Sequence, residues 1–152
     1  MGYNDLGAAL YGLPVCPGQV MLNLARFFFL DPRSGEFFRD RDRVARNTVA
    51  MLRSASGSYP QDAELRALVD QLSTGSDDFR RLWADQDVLR YRAGLKRFRH
   101  PLVGDMDFSY NVFALVGSPG LSLVVYTSVG SSETVENFRL LASWTEPSDT
   151  HT

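Results

Sequence analysis

Hydrophobic positions change their period near residue 95, and that change divides the chain into a helical part and an extended part. Asn4-Asp5 reads as the cap of a short helix with Leu6, Ala9 and Leu10 on one face and Gly12 as its stop. Leu13 to Gly18, with two prolines, reads as a loop. Val20 to Leu30 predicts a buried helix carrying Leu24, Phe27 and Phe28, ended by Asp31-Pro32 because a residue before proline avoids the helical region. Ser34 offers a cap for a long helix to about Ala55, with Phe37, Phe38, Val44 or Ala45, Thr48, Val49 and Leu52 inward. Arg41 and Asp42 interrupt that stripe, so its first turn is free to pack separately. Gly57 to Pro60 reads as a turn. Asp62 then starts a helix whose Leu65, Leu68, Val69 and Leu72 fall at i, i+3, i+4 and i+7, and Gly75 stops it. Ser76 caps the next, with Asp77-Asp78 in its first turn and Phe79, Leu82 and Trp83 inward.

Beyond the mixed connection from Asp85 to Gly94 the period becomes two. Arg97 to Val103 predicts a short strand in which Phe98 faces away from Arg97 and Arg99. Gly104-Asp105 is the hairpin turn. Met106, Phe108, Tyr110 and Val112 alternate with Asp105, Asp107, Ser109 and Asn111 as a half-buried strand. After a turn at Gly117 to Gly120, Leu121 to Val129 has the most continuous β-branched and apolar run and is expected to be the most buried strand. Ser131 or Ser132 caps a last helix with Val135, Phe138, Leu141 and Ala142 inward, and Glu146 to Thr152 is a polar tail expected to be disordered. Helices, three antiparallel strands and a closing helix make an α+β domain with helices on one face of a small sheet, spanning 1–145.

Composition narrows the function. A chain of 152 residues with 44% hydrophobic content is one ordinary domain. Eighteen acidic and sixteen basic residues leave a net charge of −2, not the excess of positive charge that nucleic-acid binders carry. A single cysteine, Cys16, excludes an intramolecular disulfide and multi-cysteine zinc patterns, and it sits in a loop with nothing to activate it. No apolar run approaches the about 18 residues of a membrane span. Gly2 to Tyr11 does not resemble a signal peptide, so a cytoplasmic location is expected. Motifs for phosphate, dinucleotide or zinc-hydrolase chemistry are missing, and the acidic residues are scattered; neither catalysis nor a metal or cofactor is expected. The densest basic cluster, Lys96, Arg97, Arg99 and His100, has three readings: a nucleic-acid patch, a solvent-facing strand edge, or a cation meeting an anionic ligand head. The acidic balance and the lack of a recognition helix weigh against the first. Ten Phe, six Tyr and two Trp supply more inward aromatic surface than a small core requires, as in an apolar ligand pocket, although plain core packing explains most of them.

Several segments together resemble one family. Asn23 to Pro32 (NLARFFFLDP) is similar to the NLAR-x-x-F-x-D-P signature of the MmyB-like ligand-binding domain of helix-turn-helix transcription regulators. The resemblance continues through Val49 to Arg53, Leu65 to Leu72, Ser76 to Trp83, Lys96 to Gly104, Leu123 to Thr127 and Leu140 to Trp144. It implies a PAS-like fold, an apolar small molecule such as a fatty acid held between sheet and helices, and a sensor whose ligand state adjusts an attached DNA-binding domain. That helix-turn-helix domain, through which alone DNA binding is implied, is not in this sequence, nor are two of the five PAS-like strands. The strand at Leu121 to Val129 is then expected to have an open edge, and either two chains pair through it or the sheet mouth is otherwise covered.

Facing assigns a pocket of Phe28, Val49, Leu52, Leu82 and Trp83 from helices and Phe98, Phe108, Tyr110 and Tyr126 from strands. Arg53 is the expected carboxylate anchor because it follows the inward stripe and is capable of a bidentate pair. The cations from Lys96 to His100 are placed along the outer rim. The alternative is an interaction module with a fully packed core and no ligand.

Overall fold

Short polar residues start most of the helices, and the backbone of a helix linker completes one edge of the sheet. The computed structural model describes residues 4–11, 23–85, 93–118 and 121–145. Along them run α1 (Asp5–Leu10), α2 (Leu24–Leu30), α3 (Ser34–Phe37), α4 (Arg41–Ser58), α5 (Ala63–Gly75), α6 (Asp77–Ala84), β1 (Ala93–His100), β2 (Gly104–Ala114), β3 (Ser122–Ser128) and α7 (Ser132–Ser143). Side chains of Asn4, Asn23, Asp62, Ser76 and Ser131 accept backbone N–H bonds at the starts of α1, α2, α5, α6 and α7. The expected loop at 13–18 and tail at 146–152 lie outside the described residues.

Three helix boundaries differ from the sequence reading. α2 begins at Leu24 rather than Val20, because the Asn23 side chain takes the N–H groups of Ala25 and Arg26 at 3.1 and 3.2 Å. The long helix expected from Ser34 is two helices. Ser34 does not cap it; its buried hydroxyl donates to the Phe28 carbonyl at 2.7 Å, satisfying an end of α2. Phe38 is extended and forms an antiparallel bridge with Phe98, and Arg39 N–H donates to Arg97 O at 3.1 Å. The free edge of β1 therefore draws two residues out of helix. Finally, α4 runs through Gly57 to Ser58, which moves the following turn to residues 59–62.

The sheet is antiparallel in the order β1-β2-β3. β1 starts at Ala93, earlier than expected, since it pairs with β2 without a break from Ala93↔Asn111 to His100↔Gly104. The hairpin turn is Pro101-Leu102-Val103, and Gly104, at φ +88°, turns the chain into β2 in a conformation other residues rarely adopt. Gly94 has a steric role: its Tyr110 partner lies across it, and a Cβ there would stand 3.0 Å from the Tyr110 hydroxyl.

β2 alternates as its sequence predicts, with Met106, Phe108 and Tyr110 buried. β3 reverses the expectation of deepest burial, because none of its residues is buried. It pairs with β2 on one side only, and helices cover one face, so Leu123 is left 52% and Val125 39% exposed on the other. α7 packs against β2 through Phe138, whose ring lies 5.1 Å from that of Phe108. Where β3 stops short along β2, Asp107 N–H donates to Thr134 Oγ1, Val129 N–H donates to Asp107 O, and Asn137 Nδ2 donates to Asp105 O.

The core lies between the inner sheet face and the helices, with residues of α1 to α7 in one cluster. Phe98, fully buried, meets the rings of Tyr11, Phe37, Phe38, Phe108 and Tyr126 at centroid distances of 5.4–6.1 Å. Phe98→Ala is expected to cost about 3–5 kcal/mol of unfolding free energy. Leu123→Ala on exposed β3 is expected to change it by about 0.5 kcal/mol or less. Denaturant titration of the two variants measures the contrast, which a buried β3 would abolish.

Candidate inner-face site

Because side chains alternate along a strand, Lys96, Phe98 and His100 of β1 share the inner face with Met106, Phe108 and Tyr110 of β2 and Tyr126 of β3. Arg97 and Arg99 point to the opposite face. There they meet the acids directly across the hairpin: Arg99 Nε lies 3.2 Å from Asp105, and Arg97 Nε 3.7 Å from both Asp107 and Asp40. Arg39 joins the same cluster at 3.3 Å from Asp105 and 3.0 Å from Asp107. The basic cluster is thus two structures. Its arginines are spent on carboxylates, which removes the charge surplus a phosphate backbone would need. Lys96 and His100, expected on an outer rim, are buried under the helices instead.

His100 fastens β1 to α1. Leu102 N–H donates to Nδ1 at 3.2 Å, so the ring proton sits on Nε2, which lies 2.9 Å from the Ala9 carbonyl oxygen and donates to it. Burial lowers the histidine below its ordinary value of 6.5, partly opposed by that carbonyl.

Lys96 is only 8% exposed, and its Nζ donates to the hydroxyls of Tyr11 at 3.1 Å and Tyr126 at 3.2 Å. Those hydroxyls are themselves 3.1 Å apart. The rings of Tyr11, Phe38, Phe98 and Tyr126 surround the amine, with centroids 5.5–5.7 Å away. No ion pair among the described residues includes Lys96. Each cation–π contact contributes on the order of 0.5–2 kcal/mol. Burying an ammonium costs several kcal/mol. The rings and hydroxyls offset much of that cost, but none of them carries a negative charge.

The other residues expected in the pocket fall into two groups. Phe28, Val49, Leu52, Phe98, Phe108 and Tyr110 are buried in the main core, with Tyr126 packed half-buried against it. The Tyr110 hydroxyl accepts from Asn47 Nδ2 at 3.1 Å, and burial raises its pKa. Leu82 and Trp83 of α6 are also packed half-buried against that core, and Arg53 reaches them from α4 at the C-terminal end of α6. Arg53 donates to the carbonyls of Leu82, Trp83 and Asp85 at 3.2, 2.8 and 2.6 Å, and its guanidinium lies 5.5 Å from the Trp83 ring. Trp83 stacks on Phe79, which leads to the sheet through Phe29, Phe28 and Phe38. Sequence reasoning assigned no role to Tyr11 and misplaced Lys96. The signal was available for Lys96, since it stands two residues before Phe98 and must share its face.

A polar hollow of about 310 Å³ lies elsewhere, where α7 begins, lined by Arg39, Asp105, Asp107, Ser131, Glu133 and Thr134. Asp105 and Asp107 there are already engaged by Arg39, and no group of three or more potential metal ligands occurs among the described residues.

The burial of neutral His100 makes a pH prediction. The folded state disfavours the imidazolium, so its contribution to stability is complete above 6.5 and is lost as pH falls through 6.5 toward the depressed folded value. Thermal midpoints measured from pH 7.5 to 5.5 should fall, and His100→Gln should fall less over the same range; equal slopes would show that His100 is not the group titrating.

No helix among the described residues is long and apolar enough to cross a membrane. Comparison with curated proteins finds no match. The family model described as MmyB-like transcription regulator ligand binding domain matches residues 1–141 of the 152. The chain therefore belongs to the MmyB-like family of transcription-regulator ligand-binding domains, a regulatory rather than an enzymatic family.

Proposed function

We propose that this domain is a PAS-like cytoplasmic sensor that holds a fatty-acid-like molecule between the inner sheet face and the helices. Its occupancy would bias a helix-turn-helix domain that makes the DNA contacts. The observation carrying this reading is the composition of that layer: Phe28, Val49, Leu52, Phe98, Phe108, Tyr110 and Tyr126 supply apolar wall, with a few polar groups converging on it. Leu82 and Trp83 would extend the wall toward α6. Arg53 then holds the end of α6 in place, and His100 the end of α1, rather than meeting the ligand directly.

A chain-length series tests it. Each additional buried methylene contributes about 0.8 kcal/mol, so tetradecanoate should bind roughly 200-fold more tightly than decanoate. Fluorescence competition measures the ratio, and equal weak binding of both acids would sink the proposal. Native mass spectrometry with organic extraction of the purified protein should also reveal a co-purifying lipid.

A second reading, an interaction module without ligand, is favoured by a specific observation on the other face. Leu95, Phe113, Leu123 and Val125 are exposed there, and no described strand pairs with the outer edge of β3. The two readings are compatible if that edge joins two copies. We expect a dimer by sedimentation at high micromolar concentration and a monomer for Val125→Lys; a wild-type monomer would remove the edge-pairing idea.

A further inference from the structure

We infer that Lys96 Nζ, together with the Tyr126 and Tyr11 hydroxyls, is the head-group site of the domain and recognises the carboxylate of an amphipathic acid. This rests on the reading of the inner face as a ligand site and names the chemistry by which that site selects.

The alternation of β1 places a lysine where an apolar residue is expected, directly opposite Phe108 and two residues from Phe98. A lysine more than nine-tenths buried normally faces a carboxylate. Lys96 faces two neutral hydroxyls and four ring faces, and no anion among the described residues. An ammonium carries three N–H groups. Two are directed at Tyr11 and Tyr126, which leaves the third and the whole positive charge for a ligand. With Tyr11 donating to Tyr126, the Tyr126 oxygen accepts from both Tyr11 and Lys96, and its own O–H remains to be donated. One N–H from an ammonium beside one O–H is a donor pair suited to the two oxygens of a carboxylate. The aromatic surround then has two uses. It holds the cation until an acid arrives, and it excludes the water that would weaken the pair. The acyl body of such a ligand would lie along Phe98 and Phe108, where the wall is wholly apolar.

Arg53, the cation that sequence position favoured for this role, donates to the carbonyls ending α6 and stands outside the sheet-facing group.

The test compares tetradecanoate with methyl tetradecanoate, which has the same acyl chain but no charge. Affinities are measured for wild type and Lys96→Met, a side chain of similar length. Wild type is expected to prefer the acid by tenfold or more, and Lys96→Met to bind both within about twofold with the ester affinity unchanged. Tyr126→Phe, which keeps the ring and removes one donor, is expected to lose acid affinity several-fold and leave the ester untouched; it serves alone if Lys96→Met does not fold. A merely structural lysine would weaken both ligands together. Wild-type preference for the acid that persists in both variants overturns the inference while leaving the ligand-sensing proposal standing. A wild type that binds neither probe overturns both.

Discussion

The contact on which this fold depends is the meeting of Phe38 and Phe98. One residue, extended, separates α3 from α4, and the other sits near the C-terminal end of the first strand. Their backbones bridge and their rings pack at 5.7 Å. Because the bridge supplies partners to the free edge of β1, helix cannot continue from α3 into α4. The aromatic ring cluster around Phe98 then fixes how far the helices stand from the sheet. Tyr11, Phe37 and Phe38 approach from one side, and Phe108 and Tyr126 from the other. Edge-to-face packing leaves little slack, so anything admitted to this layer must displace rings rather than fill empty space.

Within that apolar layer the polar groups divide by the partners they have. Ser34 satisfies the Phe28 carbonyl and His100 ties Ala9 to the hairpin; both replace solvent with a fixed backbone partner. Lys96 brings a cation to two neutral hydroxyls and four rings. On the other face of the same strands, Arg97 and Arg99 are matched to Asp105 and Asp107 across the hairpin. Being partly solvated, such pairs contribute little stability; the buried inner face and the turn set the register, and the pairs match it. A sequence that appears as one basic cluster is therefore two electrostatic environments on opposite faces of a strand.

Much of the local structure was legible in advance because it is governed by near neighbours in sequence. Asn4, Asp62, Ser76 and Ser131 start the helices they were expected to start. The period-two alternation of β2 correctly placed Met106, Phe108 and Tyr110 inside. The readings that failed depend on distant partners. Phe38 has the periodicity of a helix residue, and only the edge of β1, about sixty residues away, pulls it out. The apolar run of β3 suggested depth, yet burial follows from strand order and from which face the helices cover. Likewise no local pattern shows that Arg53 of α4 meets three carbonyls at the end of α6.

By itself the sequence determined the α+β class, the helix starts, the faces of the hairpin strands and, through its ordered set of motifs, the family; each rests on short-range patterning or on motif identity. The tertiary structure decided that the basic stretch near residue 96 is not a surface patch. Strand pairing sends its arginines to carboxylates on one face, and helix docking closes aromatic rings over its lysine on the other. Whether a cation is solvated, paired or enclosed depends on what the rest of the chain brings within a few ångströms, and no local pattern specifies that.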